Sequence, residues 1–277
     1  MGVHIIEQRL ASCTVHSAEE EMHALCEITG ELVLASLGRG DFFSSASLQG
    51  GTCLRIFHGL DRFSEDLEFS LFRDDRAFCW ARYLSQASSD LSLYGYETDS
   101  IEQSGSEEAT LRLTLQRGGR APEAIIIKLT AEANPPAGSQ QERRVLDFPF
   151  FFRVTARSLP TLFAGTLHAL LCRECPRGRD WYDFLWCMAR GIPVNYAYLG
   201  SALRQEEPYN DMEMPVDRSW LVRALGHKVA ETDFKRAAQD VMRFITPSLQ
   251  NSLQLWEETV FLQQLDKIGP ISGATRW

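Results

Sequence analysis

The apolar residues of this chain change their spacing near residue 158, and this change limits the folds open to it. Before that point, short segments such as 109–116 alternate apolar and polar side chains, as a strand with one buried face does. After Pro160, apolar side chains recur every three or four residues almost to the end of the sequence, which is typical of packed helices. The pattern predicts an α+β fold in which a helical part follows the part that contains the sheet.

The local patterns place the individual elements. We expect strands at 67–72, 94–101, 109–116, 124–132 and 148–155, forming a small mixed or antiparallel sheet, with loops at 104–106 and at Gly118–Gly119. In the same part, helices are expected at 17–37 and 74–88, the first with Ser17 as N-cap and Glu20 as its capping-box partner. The remaining helices are expected at 161–173, 180–190, 196–204, 217–229, 233–245 and 248–267. The predicted domains are therefore 1–158, which is α+β, and 159–277, which is all α.

Composition excludes some classes of protein. With 44% hydrophobic and 23% charged residues, the chain has the composition of a folded globular protein. No apolar run approaches the roughly 20 residues that span a bilayer, and the N-terminus lacks the pattern of a secretory signal, so we expect a cytoplasmic protein without a membrane partner. The net charge of −9 excludes a protein that is basic all over, but it leaves room for a local basic patch that binds nucleic acid.

The cysteines suggest reduced thiols. They are seven in number and scattered, which does not indicate a disulfide framework. Cys172 and Cys175 form a CxxC pair one helical turn after His168, but no second ligand pair follows, so packing on a helix face is favoured over a zinc site.

The motif with the clearest chemical meaning begins at Gly50-Gly51-Thr52 and continues thirteen residues later with Asp66-Leu67-Glu68-Phe69. Residues two apart on a strand point to the same face, so Asp66 and Glu68 would project together. Two such carboxylates, with substrate phosphates, suit Mg²⁺. A glycine turn at a helix start exposes backbone amides that bind phosphate oxygens. The alternative is structural: a tight turn and a solvent-facing strand edge.

Several segments in order resemble one family. Gly50-Gly51-Thr52-Cys53-Leu54-Arg55, with Arg62-Phe63-Ser64-Glu65-Asp66-Leu67-Glu68-Phe69, resembles the signature of AbiEii/AbiGii-type nucleotidyltransferase toxins. The segment 127–136 resembles the family's third-strand segment, and 159–173 with Arg177-Gly178-Arg179-Asp180-Trp181-Tyr182-Asp183 resembles its helix pair. The resemblance covers roughly residues 48–190. The helical tail is similar to the family only in character.

The resemblance implies a polymerase-β-like, Mg²⁺-dependent nucleotidyltransferase that transfers a nucleotidyl group from an NTP to RNA, such as a tRNA end, or to another acceptor. It also implies the toxin of a bacterial toxin–antitoxin or abortive-infection pair, with a cognate antitoxin. By the same resemblance, Asp66 and Glu68 hold the metal, and Asp180 is the late acidic element. The residues expected to bind or position the nucleotide are Gly50, Gly51, Thr52, Arg62 and Ser64.

Two positions depart from the family pattern. Thr166 stands where family members carry lysine, and Thr130 stands where they carry an acid. Lys128 and Glu132 lie on the same strand face as Thr130, so Lys128 is expected to steady the triphosphate and Glu132 to join the catalytic residues. The departures keep a second hypothesis open, in which the chain is a degenerate member that acts as a nucleotide-binding or protein-interaction module.

Overall fold

The computed structural model describes residues 2–75, 77–105, 107–117 and 121–269, and the expected loop at Gly118–Gly119, like Ser106, lies outside them. The chain forms two compact units. The first consists of Met1–Cys53, Ser64–Pro135 and Gln141–Ala156. The second consists of Leu54–Phe63, Pro136–Gln140 and Arg157–Trp277. The main boundary thus lies near residue 157, and two short segments from before it belong to the second unit.

A mixed sheet forms the centre of the first unit. Within the described ranges it has seven strands in the order β3-β4-β5-β2-β1-β7-β6. The strands are β1 (Ala46–Gln49), β2 (Asp66–Leu71), β3 (Tyr96–Ser104), β4 (Glu108–Leu115), β5 (Glu123–Glu132), β6 (Gln141–Leu146) and β7 (Phe152–Arg157). The pairs β2–β5 and β1–β7 are parallel, and β1–β2, β3–β4 and β4–β5 are antiparallel. The predicted α+β class with a mixed sheet is confirmed, although β1 and β6 were not predicted.

The helices of the first unit are α1 (Gly2–Ala11), α2 (Ala18–Arg39) and α4 (Ala81–Ser92), together with the start of α3 (Gly50–His58). Of these, α1 and α4 pack against α2, which also contacts strand β5. The predicted cap of α2 is confirmed, since the Ser17 hydroxyl accepts a hydrogen bond from the Glu20 amide at 3.1 Å. The predicted helix at 74–88 is wrong at its start, because Phe78 and Trp80 are buried in an aromatic cluster with Phe42 and the chain before Ala81 is irregular.

The two faces of the sheet differ sharply around β5. Its apolar residues Ile125, Ile127 and Leu129 are at most 1% exposed, and α2 packs against this strand. The intervening side chains, among them Lys128, are half-buried or exposed. The alternation therefore leaves a polar face on the side opposite to the buried one.

The second unit is helical around an aromatic core. Beyond the end of α3 it contains α5 (Leu159–Cys172), α6 (Gly178–Ala189), α7 (Tyr196–Leu203), α8 (Arg218–Glu231), α9 (Phe234–Met242), α10 (Pro247–Gln250) and α11 (Glu258–Leu265). Trp181, Phe234 and Phe261 pack together at ring-centroid separations of 4.1 to 5.3 Å. The predicted single helix at 248–267 is wrong, because the chain turns at Trp256, whose buried ring packs on Phe261. Among the described residues, no helix is long and apolar enough to cross a membrane.

Candidate active site

The strand register brings four of the expected site residues, Asp66, Glu68, Lys128 and Glu132, onto the polar face of the sheet. On β2 and β5, Asp66 lies opposite Lys128, and Glu68 lies opposite Thr130. Neighbouring strands are about 4.8 Å apart, and residues opposite each other share a face. Lys128 is therefore adjacent to the first carboxylate, and Thr130, at the position that is acidic in the family, is adjacent to the second.

Other acidic side chains lie along the same rows. Glu132 is opposite Ser70, one step beyond Glu68 along the sheet face. Glu108 on β4 lies opposite Thr130 from the other side, so Thr130 stands between two glutamates. Sequence reasoning missed Glu108, because its position depends on the pairing of β4 with β5. The available signal was the alternation of polar and apolar residues along β4, which puts Glu108 on the polar side.

The turn from β1 into α3 is built around the Glu68 carboxylate. Gly50 opens α3 with φ +71°, a conformation that L side chains rarely adopt. A Cβ added to Gly50 would overlap Glu68 Oε2 and would lie 2.7 Å from Glu68 Cδ. Glycine is required here both by the backbone and by the carboxylate that lies against it. This contact places Glu68 at the N-terminal end of α3.

Thr52 ties the first turn of α3 to the start of β2. Its side chain is largely buried, and its hydroxyl donates a hydrogen bond to the Asp66 carbonyl oxygen at 2.6 Å. The Ser64 hydroxyl lies 3.0 Å from the Thr52 oxygen. Because Thr52 has a single hydroxyl proton, the Ser64 oxygen is the alternative acceptor of that proton. Both hydroxyls therefore fix the strand that carries the carboxylates.

Asp66 and Glu68 fit the two-carboxylate form of a magnesium site. Both are half-buried on one face of β2. In the part of the chain that the structure describes, no group donates a hydrogen bond to the Asp66 carboxylate, so its oxygens are open to a ligand. No cluster of three or more His, Cys, Asp or Glu side chains suited to a metal occurs among the described residues. The donor set thus fits a cation that substrate phosphates also ligate.

Arg62 has a structural partner in the second unit. It is 4% exposed, and its Nε and Nη2 donate to the two carboxylate oxygens of Asp183, both at 2.6 Å. Burial raises the pKa of the Asp183 carboxyl, and the Arg62 guanidinium offsets part of that effect. Tyr182, on the same helix, donates to Asp61 at 2.9 Å. These bonds anchor the loop between α3 and β2, so Arg62 acts on that loop as a positioning residue.

Asp180 is also engaged within the second unit. Its carboxylate accepts a hydrogen bond from Arg173 Nη1 at 2.6 Å and another from the Arg177 amide at 2.9 Å. The second bond caps the N-terminus of α6. Arg173 is therefore paired with this acid. The catalytic role expected of Asp180 stays a prediction.

Thr166 makes a hydrogen bond within its own helix, and the two cysteines of the CxxC pair differ in exposure. The Thr166 hydroxyl donates to the Leu162 carbonyl oxygen at 3.4 Å, one turn earlier in α5. Burial raises the pKa of the Cys172 thiol to about 11, which disfavours the thiolate that a metal would need. Cys175 is exposed.

A mixed sheet with two carboxylates on one strand, beside a glycine turn that opens a helix, is the arrangement expected of a nucleotidyltransferase. The model of the family described as nucleotidyl transferase AbiEii toxin, type IV toxin–antitoxin system, matches residues 32–260. The chain therefore belongs to the AbiEii nucleotidyltransferase toxin family. No protein of curated function matches it.

Two solved structures from Helicobacter pylori are similar over most of the chain. One is a provisionally assigned nucleotidyltransferase, which is 15% identical, has a TM-score of 0.49, and aligns over 87% of this chain and 89% of its own. The other is JHP933, which is 14% identical, has a TM-score of 0.47, and aligns over 86% of this chain and 85% of its own.

Proposed function

We propose that this protein transfers a nucleotidyl group from an NTP to RNA, with tRNA as the first candidate, in a Mg²⁺-dependent reaction. The observation that carries the proposal is the pair Asp66 and Glu68 on one face of β2, with Glu68 held against the glycine that opens α3. In this arrangement two carboxylates that could hold Mg²⁺ lie next to backbone amides suited to phosphate oxygens, which supports the proposal. Family membership supports the same class of reaction.

Each residue of the polar face has a part in this proposal. Asp66 and Glu68 hold Mg²⁺, which would neutralise charge on the triphosphate as pyrophosphate leaves. The backbone at Gly50 and Gly51 receives phosphate oxygens, and Lys128, opposite Asp66, supplies the cationic charge that Thr166 cannot. Thr52 and Ser64 keep the start of β2 in place. Glu132 lies on the same face and assists the acidic pair.

The test is transfer of label to RNA. Purified protein, Mg²⁺, each of the four labelled NTPs and total bacterial tRNA should yield a labelled RNA band. Asp66→Asn preserves the shape of the side chain but removes its charge, and it should abolish the band. Glu97→Gln, at an exposed position on β3, is the matched control and should label RNA as the wild type does. No label on RNA from any NTP would refute the proposal.

The second candidate function is binding without turnover. It is favoured by Thr130, which leaves Glu68 without an acidic neighbour at the opposite position on β5, and by Thr166. A binding module should bind NTP with Mg²⁺ in calorimetry, transfer no label, and gain no activity from Thr166→Lys. Turnover by the wild-type protein excludes this candidate.

The cellular role proposed is that of the toxin of a toxin–antitoxin pair acting in the cytoplasm, where NTPs and tRNA are found. Expression of the wild-type chain should slow bacterial growth, and Asp66→Asn should relieve the effect. Co-expression of a cognate antitoxin should restore growth. Growth unaffected by the wild-type chain at high expression would contradict the toxin role.

A further inference from the structure

A cavity in the helical unit combines aromatic rings with cations. It has a volume of about 410 Å³ and is lined by Tyr209, Trp220, Arg223, Ala224, His227, Lys228 and Glu231. Trp220 and Tyr209 meet edge to face with ring centroids 5.8 Å apart. Both rings are half-buried, so each keeps part of its surface open to solvent. We call this cavity the Trp220 pocket.

The cations follow from the helical period of α8. Arg223 and His227 are three and seven residues after Trp220, so they lie on the same face of the helix, and both are exposed. Lys228 is half-buried, and its Nζ donates to the Arg173 carbonyl oxygen at 3.1 Å, which fixes the ammonium at the pocket wall. Arg223 and Lys228 outnumber the one acid, Glu231. The pocket is thus locally positive in a chain whose net charge is −9.

A second cavity adjoins the Trp220 pocket. That cavity, of about 350 Å³, shares Lys228 and Glu231 with the first and adds Arg177 and Arg236 to the lining. It also adds the acids Glu174, Asp233 and Asp240, of which Asp233 and Asp240 accept hydrogen bonds from backbone amides that direct their carboxylates to the protein. From Trp220 to Glu231 the helix rises about 16 Å, enough for more than one nucleotide.

We propose that the Trp220 pocket binds a nucleobase of single-stranded RNA, with the adjoining phosphate on Arg223 and Lys228. Aromatic faces stack on any base, and cations next to them track the backbone, which is the chemistry of single-strand recognition. The inference rests on the proposed function in naming RNA as the ligand. It goes further by assigning an acceptor-binding surface in the second unit, which contains neither Asp66 nor Glu68.

The binding test does not depend on catalysis. Fluorescence anisotropy with a labelled single-stranded RNA of eight nucleotides should show weaker binding for Trp220→Ala, by roughly 5- to 150-fold, the range for loss of one base stack. Trp220→Phe keeps a ring and should restore most of the affinity. Phe151→Ala, at an aromatic residue that is 81% exposed in the other unit, is the matched control and should bind as the wild type does.

The phosphate contact has its own signature. Arg223→Ala should reduce the slope of log affinity against log salt by about one, while Arg82→Ala, at an exposed arginine of α4, leaves it unchanged. In the transfer assay, Trp220→Ala should raise the KM for RNA and leave the KM for NTP as it is. Absence of transfer by the wild type would refute the proposed function but not this pocket.

Three results would overturn the inference. The first is wild-type RNA affinity in Trp220→Ala together with an unchanged salt slope in Arg223→Ala. The second is an affinity for AMP as high as that for the oligonucleotide, because the pocket would then be a mononucleotide site. The third is a Trp220→Phe variant as weak as Trp220→Ala, since the ring would then matter for folding rather than for stacking.

Discussion

Replacing Gly50 by alanine tests whether the glycine turn is there for the Glu68 carboxylate. Gly50 and Gly59 have nearly the same positive φ, +71° and +72°. A Cβ at Gly59 would meet nothing within 4 Å, whereas a Cβ at Gly50 would overlap Glu68 Oε2. The two substitutions therefore share the backbone strain and differ in the clash with the carboxylate.

The magnitudes follow from these two terms. The left-handed conformation costs an alanine roughly 1–2 kcal/mol, and this should be the whole loss in Gly59→Ala. In Gly50→Ala the Glu68 side chain must also leave its rotamer and its contacts, which adds about 1 kcal/mol. In a Glu68→Ala background the added cost should disappear, giving a coupling of about 1 kcal/mol between positions 50 and 68.

Two assays separate the backbone strain from the clash with the Glu68 carboxylate. Urea unfolding of the two glycine variants, of Glu68→Ala and of the Gly50/Glu68 double variant measures the coupling. Transfer of label to RNA should fall at least ~100-fold in Gly50→Ala, because a displaced Glu68 no longer holds the metal, and should stay within about threefold of the wild type in Gly59→Ala. The reasoning fails if both glycine variants lose the same stability and the same activity.

Three further predictions concern the ion pairs of Arg117 and Arg112, the threonine at position 130 and the thiol of Cys26. Replacing Arg117, whose guanidinium is almost fully buried among Glu7, Glu21 and Glu123, by glutamine should lower the unfolding free energy in urea by about 3 kcal/mol. Arg112→Gln, which removes an exposed ion pair with Glu102 between β4 and β3, should leave that free energy nearly unchanged. Thr130→Asp places a like charge opposite Glu68, so this variant should have a lower Tm than the wild type without Mg²⁺. Addition of Mg²⁺ should raise the Tm of the variant more than that of the wild type, and equal rises in Tm would contradict the proposed metal position. Burial raises the pKa of the Cys26 thiol to about 11, so this thiol ionises at lower pH in the unfolded chain than in the folded protein. The unfolding free energy should therefore fall as pH rises from about 8.5 to 11, and it should fall less in Cys26→Ala. Parallel plots of unfolding free energy against pH for the two proteins would contradict this.

The fold class and the pairing of two carboxylates on one strand could be predicted from the sequence alone. The spacing of apolar residues, every two or every three to four positions, is a local property, so most strands and helices could be predicted from the chain, although α1, β1 and β6 were not. The same local rule placed Asp66 and Glu68 on one face of β2, and Lys128, Thr130 and Glu132 on one face of β5. Ends of elements were less certain where buried aromatic residues such as Trp80 and Trp256 interrupt a helical pattern.

Which residues meet in space depends on the three-dimensional packing and could not be predicted from the sequence alone. The register of β2 on β5 puts Lys128 beside Asp66 and Thr130 beside Glu68, and register depends on packing of whole faces rather than on local spacing. Arg62 finds Asp183 at a separation of 121 residues, which turns a residue of the nucleotidyltransferase signature into an anchor for its loop. The Trp220 pocket likewise requires Tyr209 to fold back on α8. Such contacts are fixed by long-range burial and pairing, which no short stretch of sequence encodes alone.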